Sequence, residues 1–288
     1  MITILDFQIS ADSVNKYSLY LFERNNSQPL AKTTFEFQLD YMTDFNLNQL
    51  DFDARDPATR LQRLKEFGNS LYRKLFTKEI EKIWGDYKNS SDFLVLCLRI
   101  DPAVVALEKL PWETLHDGDE FLAAGAKTGI SRLPLDITPA QTMEPVPRPV
   151  KMLALVSSPL DLEGGERLNM EQEQEHLLQA INDPAGAGRI DLTIEDEAKL
   201  PILEKELEQV YAIFHYSGHG FFDEIGGGLL LEDNQGNKRT TATAEILDSL
   251  QTGDKSLRLA VISGCQTART IASAGFADLA RGLIRRRH

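Results

Sequence analysis

Three segments near the start of the chain, Ile2 to Ile9, Tyr17 to Phe22 and Thr33 to Leu39, place apolar side chains at nearly every second position. A period close to two, carried by β-branched and aromatic residues, predicts antiparallel strands in a small meander. From Pro57 the period lengthens: Leu61, Leu64, Phe67, Leu71, Leu75 and Phe76 recur at helical spacing, and Ile80, Ile83 and Trp84 follow a break at Thr77. That pattern predicts amphipathic helices packed on the sheet. Phe93 to Ile100, FLVLCLRI, is a nearly continuous apolar run and predicts a buried strand, in which Cys97 reads as a small core hydrophobe. In the following LPWETLHD, Pro111 suits a first helical turn, and Trp112 is expected to anchor the interface between two lobes.

Pro134 to Pro149, with Pro139, Pro145 and Pro147 between them, cannot hold a helix or a central strand. It marks a boundary between an N-terminal lobe, residues 1–143, and a second domain, residues 144–288. The second domain alternates strand and helix. Strands are expected at Val150 to Ser157, Arg189 to Ile194, Ala212 to Tyr216 and Leu257 to Ile262. Helices are expected at Arg167 to Ile181, Ala198 to Gln209, Thr243 to Leu250 and Gly275 to Arg286, and a β-hairpin with an Asn-Gln-Gly-Asn turn follows Gly226 to Gly228. This is the signature of βαβ units and of the α/β class.

Composition narrows the field. The chain is 42% hydrophobic and 26% charged, ordinary for a globular protein, and no apolar run approaches the roughly 18 residues of a membrane span. MITILDFQIS carries no secretory pattern, so a cytoplasmic location is expected. A net charge of −13 opposes direct binding to nucleic acid, which relies on Lys and Arg at the phosphates. The two cysteines, Cys97 and Cys265, provide neither a disulfide framework nor zinc-ligand spacing. No metal or organic cofactor is expected.

The candidate chemistry lies where two apolar runs stop abruptly. YAIFHYSGHG, Tyr211 to Gly220, delivers His219 to a Gly-rich loop, and Leu257 to Ile262 ends in Ser263-Gly264-Cys265. Catalytic groups in α/β sheets collect beyond the carboxyl ends of strands. Neighbouring parallel strands would therefore bring a thiol and an imidazole to one rim. An unperturbed thiol, with a pKa of about 8.5, needs such help to ionise at neutral pH. Small residues before Cys265 let the thiol project and let a nearby amide face a developing oxyanion. His215 shares a strand face with Ile213 and reads as packed or supporting; Glu171, Glu173 and Glu175 read as one wet helix face.

Residues 57 to 288 resemble the CHAT family, caspase-like cysteine peptidases of the clan that includes caspases, metacaspases, gingipains and separase. The resemblance rests on EFGNSLYRKLF, LRIDP, LPWETLHD, VSSP, HYSGHG and ISGCQTA. It implies a caspase-like, mostly parallel sheet flanked by helices, preceded by an α/β half- or pseudo-caspase-like regulatory lobe. It also implies His219 as general base, Cys265 as nucleophile and the amides of Gly220 and Cys265 as the oxyanion hole. His preceding Cys by roughly 50 residues fits the caspase order, whereas ISGCQT is not the caspase QAC signature, so aspartate preference does not carry over. Relatives that prefer basic residues place an acidic residue after the first strand of the catalytic half, matched here by Asp161. CHAT domains continue into strands absent after His288, which implies an exposed sheet edge completed by a C-terminal fragment or an activating protein partner. Activation by a partner or a nucleotide signal, in bacterial defence or programmed death, is a further implication. The rival readings are a catalytically silent interaction module and an acyl transferase using the same dyad.

Overall fold

A computed structural model describes residues 1–37, 56–108, 110–138, 145–162, 169–182, 188–222, 227–252, 257–264, 279 and 282–284. The chain divides into two units, Met1–Gln141 and Thr142–His288.

In the first unit, β1 (Ile2–Ser13), β2 (Lys16–Glu23) and β3 (Ala31–Glu36) pair antiparallel in sequence order, as the alternating pattern predicts. The helices α1 (Pro57–Leu75) and α2 (Lys78–Ser90) follow, separated at Phe76 and Thr77. Asp56 caps α1 by accepting from the amides of Ala58 and Thr59 at 3.2 and 3.1 Å, and Pro57 occupies the first turn, where no amide donor is needed. β4 (Phe93–Ile100) runs parallel to β1 and also to β5 (Thr128–Arg132), giving the mixed order β3-β2-β1-β4-β5. Leu5, Phe7 and Ile9 of β1 and Leu94, Leu96 and Leu98 of β4 form a core with Phe67, Leu71 and Trp84 from the helices.

Three findings here differ from the sequence reading. Trp112, expected to anchor an interface between lobes, is fully buried in the first unit's own core, with Nε1 donating to Leu107 O at 2.7 Å. β5 and the short helix α3 (Val105–Glu108) carry too little apolar periodicity to be anticipated. β5 is held instead by pairing with β4 and by Arg132, which donates to Glu108 O and Leu110 O, each at 2.9 Å.

The second unit begins with β6 (Val150–Val156), followed by α4 (Met170–Asn182), β7 (Ile190–Glu195), α5 (Leu200–Glu206) and β8 (Ile213–Phe222). The hairpin β9 (Gly227–Glu232) and β10 (Lys238–Ala242) comes next, then α6 (Thr243–Thr252) and β11 (Leu259–Gly264). β8 is parallel to both β6 and β11, and β6 is parallel to β7; β9 and β10 extend the sheet antiparallel. Leu153, Leu155, Phe214, Tyr216, Leu229 and Leu231 face α5 and α6 across one apolar core, which Leu279 and Leu283 join. The opposite face carries α4, none of whose residues is fully buried.

Candidate active site

His219 lies within a strand, not in the loop that the glycines around it predicted. β8 continues to Phe222 because its end gains a new neighbour, with His219 opposite Leu230 and Gly220 opposite Leu229 of β9. The handover is sharp. β6 pairs with β8 as far as Val156 opposite Ser217, and β11 as far as Gly264 opposite Gly218. Among the described residues, His219 is thus the first residue of β8 beyond its parallel neighbours, at the carboxyl rim of that part of the sheet.

β9 takes the edge of β8 that β6 vacates. Ser157 Nα donates to Ser217 O at 2.8 Å, Ser157 Oγ donates to Leu230 O at 2.8 Å, and Ser158 Nα donates to Glu232 Oε1 at 3.0 Å. Burial pushes the Glu232 carboxyl above its ordinary range, opposed by the Ser158 amide and by Lys199. Among the described residues, the edge of β8 at His219 that β9 does not take is the one on the β11 side.

The backbone of His219 is fixed from below. The buried hydroxyl of Tyr216 lies 2.9 Å from His219 O and 2.8 Å from Leu230 O, so it bridges the two strands. Burial raises the Tyr216 pKa well above the ordinary phenol range, keeping it a proton donor at every working pH. Gly218 makes this possible: a Cβ there would sit 2.1 Å from the Tyr216 hydroxyl oxygen. His219 itself is 9% exposed.

On the same strand face, His215 Nε2 is 3.0 Å from Ser217 Oγ, which donates in turn to Glu173 Oε2 at 3.2 Å. Burial lowers the His215 pKa, opposed by the charge of Glu173. The reading of Glu171, Glu173 and Glu175 as one wet face is corrected here: Glu171 and Glu175 are exposed, while Glu173 turns half-buried toward the sheet. Residues two apart on a helix point to opposite sides, so the three carboxylates cannot share a face.

Cys97 is a buried core residue whose thiol is pushed up in pKa by burial. Asp161 stays exposed after β6 and uses Oδ1 to accept from Lys238 Nα at 2.6 Å, while Leu160 Nα donates to Gly236 O at 2.8 Å. Those contacts tie the segment to the β9–β10 turn. Cys265, with its amide, lies outside the described residues, as does most of the helix expected from Gly275 to Arg286. Among the described residues β11 pairs only with β8, and Leu259 and Val261 on it are 51% and 37% exposed. No helix among the described residues is long and apolar enough to cross a membrane.

A mostly parallel, helix-flanked sheet with a histidine at its carboxyl rim, preceded by a separate strand-bearing unit, defines a caspase-like α/β protein. The sequence model of the CHAT domain matches residues 65–286, and the chain belongs to that family of caspase-like peptidases. No curated protein matches it.

Proposed function

We propose that the chain is a cytoplasmic cysteine endopeptidase that cleaves protein substrates with a Cys265–His219 dyad. One observation carries this reading: β8 and β11 are parallel neighbours in register, and their last pair among the described residues, Gly218 opposite Gly264, immediately precedes His219 and Cys265 in the chain. In the reaction His219 takes the thiol proton and the thiolate attacks the scissile carbonyl. The amides of Gly220 and Cys265 receive the oxyanion. Protonated His219 then delivers its proton to the leaving amine, and water activated by the neutral ring hydrolyses the thioester. Neither a metal nor an organic cofactor enters these steps.

The experiment compares newly formed protein termini in cells carrying wild type or Cys265→Ala, with the protein in its activated state. Cleavages that require Cys265 support the reading. Identical sets of termini overturn it and leave a silent interaction module.

Asp161 is assigned to favouring a basic side chain before the scissile bond. Its carboxylate is exposed at the carboxyl side of β6, and only Oδ1 is committed, to Lys238 Nα. Asp161→Asn keeps an acceptor for that amide and removes the charge. A peptide library should show the preference for Lys or Arg falling about tenfold in this variant. An unchanged preference reduces Asp161 to a loop tie.

The edge of β11 that has no strand partner among the described residues is assigned to a further strand, from a C-terminal fragment or an activating protein, because unpaired strand edges with exposed Leu and Val are templates for strand addition. The N-terminal unit would then serve as a regulatory scaffold, in bacterial defence or programmed death. Slowed amide exchange at Leu259 to Ser263 on adding the activator is the expected signature.

A further inference from the structure

Side chains on β8 alternate between the faces of the sheet. Phe214 and Tyr216 belong to the apolar core, so His215, Ser217 and His219 share the opposite face. The hydrogen bonds on that face have one consistent direction. A carboxylate only accepts, so the single hydroxyl proton of Ser217 goes to Glu173, and the Ser217 oxygen accepts from His215. That connectivity requires the His215 proton on Nε2.

Among the described residues, the neighbours of this chain of groups are few. The strands flanking His215 present Ala154 and Val261 at its level, neither of them ionisable, and the helix above contributes Glu173. Ser217 is 2% exposed and is held twice, through Oγ by Glu173 and His215, and through its carbonyl by the Ser157 amide. It is also the last β8 residue paired with β6, two positions before His219. With no residue of α4 fully buried, the Glu173 contact is a specific tie between that helix and the strand.

We infer that Glu173, Ser217 and His215 form a network that positions His219, fixing the strand from the face opposite Tyr216. This rests on the proposed role of His219 as general base. All three are positioning residues, because each acts through the strand and none is placed at the reacting atoms. A base displaced by a fraction of an ångström from its proton path loses rate, whereas substrate binding elsewhere is unaffected.

Two readouts test the network on the full chain. The first, independent of peptidase activity, is nitrogen-15 NMR of the histidine rings. Wild type should show His215 protonated on Nε2; Ser217→Ala and Glu173→Ala should shift His215 toward the solvent tautomer mixture and also move the His219 ring resonances. A His215 ring protonated on Nδ1, or a His219 ring unmoved by both variants, overturns the inference.

The second is steady-state kinetics. Each alanine variant should lower kcat on the order of 10- to 100-fold with KM within about twofold. The double variant should be no worse than Ser217→Ala alone, since one broken link breaks the chain. Glu173→Gln and Ser217→Thr, which keep an acceptor oxygen and a hydroxyl, should recover most of the rate. Additive losses, a rise in KM alone, or no recovery in the conservative variants overturn it. If His219→Ala keeps full activity, the base assignment fails separately, and the ring resonances still decide whether the network holds His219 in place.

Discussion

If His219 is the proposed base, His219→Ala should lower kcat/KM for peptide hydrolysis by about 10³-fold or more, while alkylation of Cys265 by a small haloacetamide should slow by no more than about 30-fold. The two numbers differ because the base acts twice. A thiol with a pKa near 8.5 is only a few per cent ionised at neutral pH, so complete ionisation by a neighbouring imidazolium gains at most about 30-fold in thiolate. Part of that gain is offset by the lower nucleophilicity of a stabilised thiolate. Peptide cleavage also needs a proton delivered to the amine as the tetrahedral intermediate collapses, and alkylation does not. Equal losses in the two assays would assign His219 to thiol activation alone. Peptide turnover within tenfold of wild type would remove it from the mechanism. Thermal unfolding of the variant provides the control for folding.

Much of this arrangement is legible from residue order. The β-branched and aromatic runs locate β1, β2, β4, β6, β8 and β11, and alternation alone places His215 and Ile213 on one face. What residue order hides is pairing. Ser217-Gly218-His219-Gly220 has the composition of a loop, yet it is strand because Leu229 and Leu230 of the following hairpin supply the partner. Thr128–Arg132 is weakly apolar and becomes strand through β4 and the Arg132 contacts with Glu108 O and Leu110 O. Glu173 looks like one more surface carboxylate until the helical angle between residues two apart is taken into account. The CHAT motifs point to His219 directly; its supports, the Tyr216 hydroxyl beneath it and the Ser217 network on the opposite face, are long-range contacts with no local signature.

Gly218→Ala should lower both stability and turnover. Nothing about the backbone conformation demands glycine here; the constraint is space. The added Cβ would lie 2.1 Å from the Tyr216 hydroxyl oxygen, 2.3 Å from Cζ and 2.8 Å from Cε1. A flexible surface side chain would swing aside, but the Tyr216 ring is fully buried and its hydroxyl spans His219 O and Leu230 O. Accommodating the methyl must therefore shift the ring, break the bridge or push β8 away from β9. Overpacking of this kind costs about 1–3 kcal/mol, and loss of the bridging donor adds about 1 kcal/mol. For a unit of this size each kcal/mol lowers Tm by roughly 2–4 °C. Every one of those adjustments moves the carbonyl of His219, so kcat should fall further than the folded fraction explains. Tyr216→Phe separates the two causes: it removes the oxygen but leaves the ring, so it should cost about 1 kcal/mol by itself and should soften the Gly218→Ala penalty in the double variant. Strictly additive losses would show that the hydroxyl and the missing Cβ do not share the same space. The strand would then owe its position at His219 to the β9 pairing and the Ser217 contacts, not to the space left at Gly218.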